Sequence, residues 1–460
     1  MPFSEHALLA ELRSLGAVTR FHAGYSGGLD SSVLLHALAG CREALGAPLD
    51  AVHVNHALLP EAASWTAHCR ASCAALGVPL TVIDVDASSR RAALGVEAAA
   101  RQARYDALAA LLAPGECLLV AQHRDDQAET VLLQLFRGSG PAGLAAMPRV
   151  APLGKGRLAR PLLGFARADL RAYADARGIR FVEDPSNADP RLARGFLRAE
   201  VLPRLEAHWP GLRKTLARAA RHAADAAAII AERAGEDLGA LAATTPWRMP
   251  VGALARLSLP RRRAVLRHWC EARGLAVPDA ARLDEALAQL AGARSGAAIE
   301  VAWPGGSLRR YRDALWLVPA LAVHDAGTRL RWDGESPLAL PAGLGTLRLA
   351  PGGWLGRDAP QAGLEVGFRT AGLRCAVVGR RGHRDLKHLF QDAGVPPWLR
   401  DRVPLVFVGG QLACVGDRWV CAEHATREPA AGLAVEWERP GHMAAWASAA
   451  PPLAPVRDLV

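Results

Sequence analysis

One hexapeptide, Ser26-Gly27-Gly28-Leu29-Asp30-Ser31, gathers residues suited to handling phosphate. Two adjacent glycines let backbone N–H groups approach an anion, Ser26, Ser31 and the following Ser32 offer hydroxyl donors, and a helix starting here adds the partial positive charge of its N-terminus. Asp30 stands where its charge repels phosphate most. That placement makes chemical sense with a divalent cation in between, since Mg²⁺ favours one or two carboxylates together with phosphate oxygens. Further along, His123-Arg124-Asp125-Asp126-Gln127-Ala128-Glu129 spaces Asp125 and Glu129 four apart and Asp126 and Glu129 three apart, so one helical face presents clustered carboxylates. Facing Asp30, these could hold metal or act as a base, with Asp30 and Asp125 the expected metal ligands. The plainer alternative is that Asp125 caps the helix and Glu129 is solvated. Arg101 and Arg104 follow Glu97 on a helical pattern; they are either partners of that carboxylate or planar clamps on a phosphate.

The elements that must position these residues are legible as short apolar runs alternating with helical patterns. Strands are expected at 21–25, 51–55, 80–85, 117–121 and 179–182, and helices at 31–40, 61–76, 96–112, 126–137 and 167–177. The pattern implies an α/β fold, a doubly wound parallel sheet over residues 1–210. Ligands of such sheets bind outside the carboxyl ends of the strands, where Ser26, Asn55 (before His56) and Gln122 fall. Neither G-x-x-x-x-G-K-[ST] nor G-x-G-x-x-G with a distant acidic partner fits the glycine turn.

A chain of 460 residues with 51% hydrophobic content is too long for one core, so two or three domains are expected. No run of eighteen apolar residues suggests a membrane span, and Met1–His6 does not read as a signal peptide, so a cytoplasmic location is expected. The eight cysteines form no C-x-x-C pair and read as buried thiols. A net charge of +10 suggests a polyanionic partner.

The hexapeptide resembles the PP-loop of the ATP pyrophosphatases, which cleave ATP between its α and β phosphates. The likeness widens with His123-x-x-Asp126-x-x-Glu129-Thr130, Arg137-Gly138-Ser139-Gly140-x-x-Gly143-Leu144, Glu183-Asp184-Pro185-Ser186-Asn187, Arg194-x-x-Leu197-Arg198 and the run from Lys387 to Leu405. Together these resemble bacterial tRNA(Ile)-lysidine synthetase. One departure stands out: that family usually has Asn after the arginine matching Arg194, and this chain has Gly195.

The resemblance implies ATP and Mg²⁺ as cofactors and two substrates, L-lysine and an isoleucine tRNA with a CAU anticodon, and it favours a homodimer. It implies attack of a cytidine O2 on the α-phosphate, then displacement of AMP by the lysine amine. Ser26, Gly27, Gly28, Leu29, Asp30 and Ser31 would bind ATP, and Asp126 or Glu129 would hold or deprotonate the amine. His123 would orient, and Arg101, Arg194 and Arg198 would contact the α-phosphate or the tRNA strand. A thiolase of the same superfamily would bring a C-x-x-C pair, and a non-catalytic tRNA-binding protein would have no need of Asp30, Asp126 and Glu129. Beyond the catalytic domain, residues 211–325 are expected as a mainly helical tRNA-binding domain with a basic stripe at Lys214, Arg218, Arg221 and His222. Residues 326–363 read as a linker or irregular strands. Residues 364–430 read as a small α+β tRNA-binding domain with Arg380, Arg381, His383, Arg384 and Lys387 clustered, and 431–460 as a disordered tail.

Overall fold

The computed structural model describes residues 2–447 apart from 56–61, 86–95, 184–188, 242–244, 293–297, 371 and 381; the side chains of 62, 96–101 and 445–447 also lie outside the description. The chain forms two compact units, Met1–Ile229 and Ile230–Val460.

In the first unit, α1 (Glu5–Arg13) precedes β1 (Arg20–Gly24), α2 (Leu29–Gly40), β2 (Leu49–Asn55), α3 (Ala62–Ala75), β3 (Leu80–Asp84), α4 (Val96–Leu111), β4 (Glu116–Leu119) and α5 (Arg124–Phe136). Then follow β5 (Val150–Leu153), β6 (Gly156–Ala159) and α6 (Arg167–Arg177). The strands order as β3-β2-β1-β4-β6-β5, parallel throughout except where β5 pairs with β6. Chain direction switches sides between β1 and β4, which opens a crevice at their carboxyl ends. Helix α2 packs against β1, β2, α1 and α6. Enclosure on that many sides accounts for its apolar surface, with Leu29, Val33, Leu34, Leu35 and Leu38 all buried.

One expected strand is absent: Ile179–Val182 does not join the sheet. The place beside β4 goes to β6, one arm of a hairpin whose four-residue strands contain Pro152 and Gly156 and so carry no continuous apolar run. The 179–182 segment still works for the fold. Ile179 is buried, and the Val182 N–H donates to the Gly27 carbonyl at 2.9 Å, bracing the glycine turn from outside the sheet. After α6, α7 (Ala193–Phe196) runs into a π-helical turn (Leu197–Val201) and α8 (Leu202–His208), and α9 (Leu212–Leu241) crosses the boundary between the units. Leu132 of α5 packs with Leu197 and Leu202, tying this helical run to the carboxylate-bearing helix.

The second unit adds to two expectations and corrects a third. The segment expected as mainly helical is so, with the end of α9, α10 (Leu259–Ala272) and α11 (Ala280–Gly292), but it also contains β7 (Arg248–Pro250), β8 (Ile299–Trp303), β9 (Gly306–Tyr311) and β10 (Ala314–Pro319). Its strands form an antiparallel sheet, β7-β10-β9-β8, against which Trp269 and Leu283 of the helices are buried. Residues 326–363, expected as a linker or irregular strands, carry strands, β11 (Arg329–Trp332), β12 (Leu338–Ala339) and β13 (Thr346–Leu355), and Trp332, Leu347 and Leu355 are core residues. The tail is structured up to Ala447: after β14 (Leu364–Gly367), β15 (Arg374–Cys375), β16 (Arg384–Asp385), α12 (Leu386–Asp392), α13 (Pro397–Arg400), β17 (Leu405–Val408), β18 (Gln411–Val415) and β19 (Trp419–Val420), strand β20 (Leu433–Glu438) pairs with β13, and α14 (Gly441–Ala447) buries Met443. Residues 448–460 lie outside the described residues. A single apolar cluster joins Trp316 and Val318 of β10 to Phe368, Leu405, Trp437 and Met443, so residues on both sides of 325, 363 and 430 share one interior beside the separate cluster of Trp269, Leu283 and Leu315.

Six of the eight cysteines are buried thiols as expected, and burial pushes Cys69 up to about 12 and Cys73 up to about 11. Cys375 and Cys421 differ, being joined as a disulfide beside the bridge between Val377 and Cys421. Among the described residues, no helix is long and apolar enough to cross a membrane.

Candidate active site

Two loops meet at the crevice. The first, between β1 and α2, turns at Gly27, whose φ of +83° is available to glycine at little cost. A Cβ there would also press on Cys69 Sγ at 3.2 Å. Gly28 caps α2 without a side chain, so the first N–H groups of the helix have no side-chain cap over them. The Ser26 and Ser31 hydroxyls lie 3.0 Å apart, and Ser31 also donates to the Gly28 carbonyl at 3.0 Å. Ser32 departs from expectation: it is fully buried and donates to the Gly27 carbonyl, so it shapes the turn instead of facing a ligand. The Leu29 side chain belongs to the core, which leaves its backbone N–H as the group able to serve an anion.

The second loop follows β4 and opens α5. His123 is the N-cap: its Nδ1 accepts from the Asp126 N–H at 3.4 Å, while Asp126 Oδ2 accepts from the His123 N–H at 3.1 Å. This reciprocal cap fixes the ring so that its Nε2 sits 3.5 Å from Asp30 Oδ2 and 3.5 Å from Asp126 Oδ2. Burial alone would lower the imidazole pKa, but the carboxylates of Asp30, Asp126 and Asp125 outweigh it and raise the value; the ring that caps through Nδ1 is the neutral one with its proton on Nε2, and charging it would give up that cap bond. Gln122 is held by Arg160, whose Nε donates to Gln122 Oε1 at 3.1 Å.

The clustered carboxylates divide into two kinds. Asp125, expected as a metal ligand, is engaged by protein donors. One oxygen accepts from the Arg167 N–H at 2.9 Å and the other is ion-paired with Arg213. Burial would raise the Asp125 pKa, yet the Arg167 N–H and Arg213 hold it below the ordinary value. Both oxygens are thus engaged. Glu129 is equally closed: it is 1% exposed and bound in two-pronged fashion by Arg198 (Nε to Oε1 2.8 Å, Nη2 to Oε2 3.0 Å), with Arg194 Nη1 at 3.5 Å. A carboxylate so clamped has no oxygen free of a cation, and it holds both arginines in place. Arg194 also donates to Thr130 Oγ1 at 3.0 Å.

Asp30 and Asp126 are less closed: Asp126 Oδ2 serves the cap, and its Oδ1 has Arg198 Nη2 at 3.6 Å, beyond hydrogen-bond reach. Asp30 Oδ1 is buried and has no hydrogen-bond donor. A single carboxylate with an unsatisfied oxygen beside a phosphate-type turn is a donor set that Mg²⁺ accepts. No three His, Cys, Asp or Glu side chains converge as a metal cage among the described residues.

Arg101 lies on α4, with its side chain outside the described residues, as are His56, Glu97, Arg381 and the 184–187 segment. Arg104 is exposed. Gly195 has a reason of its own here: an added Cβ would stand 1.9 Å from the Asp189 carbonyl oxygen, so only glycine lets that backbone close on α7. Sequence reading passed over Arg167 and Arg213. Neither carries a spacing signal, because both reach the site only through tertiary folding. On α9, Lys214, Arg218, Arg221 and His222 are exposed, as are Arg380, His383, Arg384 and Lys387 in the second unit.

With this geometry in view, comparisons with known proteins converge. Residues 6–205 match the PP-loop domain family, 249–316 the TilS substrate binding domain and 364–437 the TilS substrate C-terminal domain. The chain is 44% identical over 423 residues to the tRNA(Ile)-lysidine synthase of Methylococcus capsulatus, covering 91% of this chain and 96% of that protein. It is 45% identical over 438 residues to the protein of the same name from Alkalilimnicola ehrlichii, covering 92% and 97%. With that of Pectobacterium atrosepticum it shares 43% identity over 424 residues, covering 90% and 94%.

Proposed function

Because this chain belongs to the tRNA(Ile)-lysidine synthase family, we propose that the crevice between β1 and β4 is where ATP is cleaved and the wobble cytidine of a CAU-anticodon isoleucine tRNA becomes lysidine. The protein is an ATP-dependent ligase of tRNA modification. The observation that carries the site assignment is Asp30 Oδ1, buried without a donor in the glycine turn.

In the proposed mechanism the cytidine O2 attacks the α-phosphate, and the leaving diphosphate is received by the Ser26–Ser31 turn. Each preorganised donor there can stabilise developing charge by about 2.7–4 kcal/mol, as in other anion holes. Mg²⁺, held by Asp30, would supply neutralisation of the diphosphate. Arg194 and Arg198, fixed by Glu129, are placed for the α-phosphate or the tRNA strand, with Arg101 as a further candidate. The lysine amine, with an ordinary pKa of about 10.4, must lose a proton before displacing AMP. Asp126 is the better candidate to hold it, since Glu129 is occupied on both oxygens. His123, with Nε2 between Asp30 and Asp126, orients both.

The exposed basic residues of α9 and of the C-terminal region would follow the tRNA backbone. The cytidine must be drawn out of its stack to reach the crevice. A cytoplasmic homodimer completes the reading. The test combines protein, Mg-ATP, radiolabelled lysine and unmodified CAU-anticodon isoleucine tRNA. Label is expected in RNA together with AMP release; AMP without label in RNA would assign the chain to another ligation, and tRNA binding without AMP would reduce it to a binding protein.

A further inference from the structure

The cations around the two loops are not alike. Arg213 is ion-paired with Asp125, Arg198 and Arg194 converge on Glu129, and His123 sits between Asp30 and Asp126. Arg167 is held differently. Its backbone is pinned, because its N–H donates to Asp125 Oδ2 at 2.9 Å and Asp125 is itself anchored by Arg213. Its guanidinium is loose: Nε lies 3.7 Å from Asp30 Oδ1, beyond hydrogen-bond reach, and the side chain is 47% exposed. The pair is therefore held by charge alone, on the oxygen that lacks any donor.

A pinned backbone with a detachable side chain suits a residue that changes partners. A divalent cation on Asp30 would displace Arg167 by like-charge repulsion, and a triphosphate would offer the planar fork a better acceptor than one distant carboxylate oxygen. We propose that Arg167 binds the β and γ phosphates of the nucleotide and, before the metal–nucleotide complex arrives, neutralises Asp30. This rests on the assignment of the glycine turn to ATP.

Calorimetric titration with α,β-methylene-ATP, with and without Mg²⁺, tests it without turnover, using wild type, R167Q, D30N and the double variant. R167Q is expected to weaken the Mg²⁺ complex about tenfold, the scale of one charge-assisted contact, with R167K recovering part of the loss. Without Mg²⁺, D30N is expected to tighten binding, and that gain is expected to shrink when Arg167 is also replaced, because the freed guanidinium supplies part of it. Wild-type affinity in R167Q, or strictly additive effects in the double variant, would overturn the proposal. Since Arg167 is exposed, an unchanged unfolding midpoint in R167Q confirms that these readings concern the site. Wild type that fails to bind the analogue at all would overturn the ATP assignment, and this inference with it, whereas normal wild-type binding with an indifferent R167Q overturns this inference alone.

Discussion

Helix α5 separates two chemistries within little more than one turn. Asp125 and Glu129 lie in a closed layer, each carboxylate saturated by arginine, while Asp126 and the neighbouring Asp30, at the mouth, share one imidazole between them and are approached only loosely by guanidinium, Arg198 at Asp126 and Arg167 at Asp30. Nearly identical residue types thus do opposite work. In the closed layer, charge is consumed to fix geometry; at the mouth, more of it is left available. The lesson is that a carboxylate cluster is read by what already occupies it, not by its spacing.

Breaking either half should therefore have different consequences. The largest effect belongs to the mouth: Asp30→Asn is expected to cut adenylation by at least about a hundredfold, in line with loss of a charge-stabilising group, while tRNA binding stays near wild type. An AMP yield at the wild-type rate would remove Asp30 from the metal role. In the closed layer, Asp125→Asn or Glu129→Gln leaves a half-buried arginine without its carboxylate and is expected to destabilise by roughly 1.5–3 kcal/mol in denaturant titrations. Wild-type stability in both would erase the distinction drawn above. Gly195→Ala is next, at about 1–3 kcal/mol, because the Asp189 backbone must move aside; restoring the Asn of the family at this position should do no better.

The smallest effect is in pH dependence, and it sharpens the contrast by sign. The His123 pKa is raised, so its contribution to stability is complete below the unfolded value of about 6.5 and is lost as pH rises through the higher folded value. Asp125 is lowered, so its contribution is complete above the unfolded value of about 3.9 and is lost on acidification through the folded value. His123→Asn keeps a capping side chain but cannot titrate, and should flatten the neutral-pH slope of unfolding free energy. A slope unchanged by that substitution would assign it to another group.

Much of the first unit was legible because its strands are apolar runs and its helices start and stop at clear signals; α6 spans Arg167–Arg177 as its pattern predicts, ended by Gly178 in the left-handed region. The hairpin of β5 and β6 was not, since four residues broken by proline and glycine leave no periodicity to read. That the glycine turn with Asp30 and the start of α5 with Asp126 meet at one sheet edge was legible from local spacing, while His123 was singled out through the family resemblance. Arg167 and Arg213 were not, because an arginine before or within an amphipathic helix looks the same whether it faces water or a buried aspartate. The second unit was hardest: its strands are short and mixed with Gly, Pro and Trp, and their apolar faces make sense only once β13 meets β20 across the intervening residues 356–432.

The shared packing of Trp316 and Val318 with residues as distant in sequence as Trp437 and Met443 sets a rule for anyone cutting or grafting this enzyme. A truncation after β10 would leave tryptophan surface wet, and a chimera exchanging only the C-terminal portion with a relative would pair mismatched halves of one interior. Recombination that succeeds should carry everything from Arg248 to Met443 as one cassette.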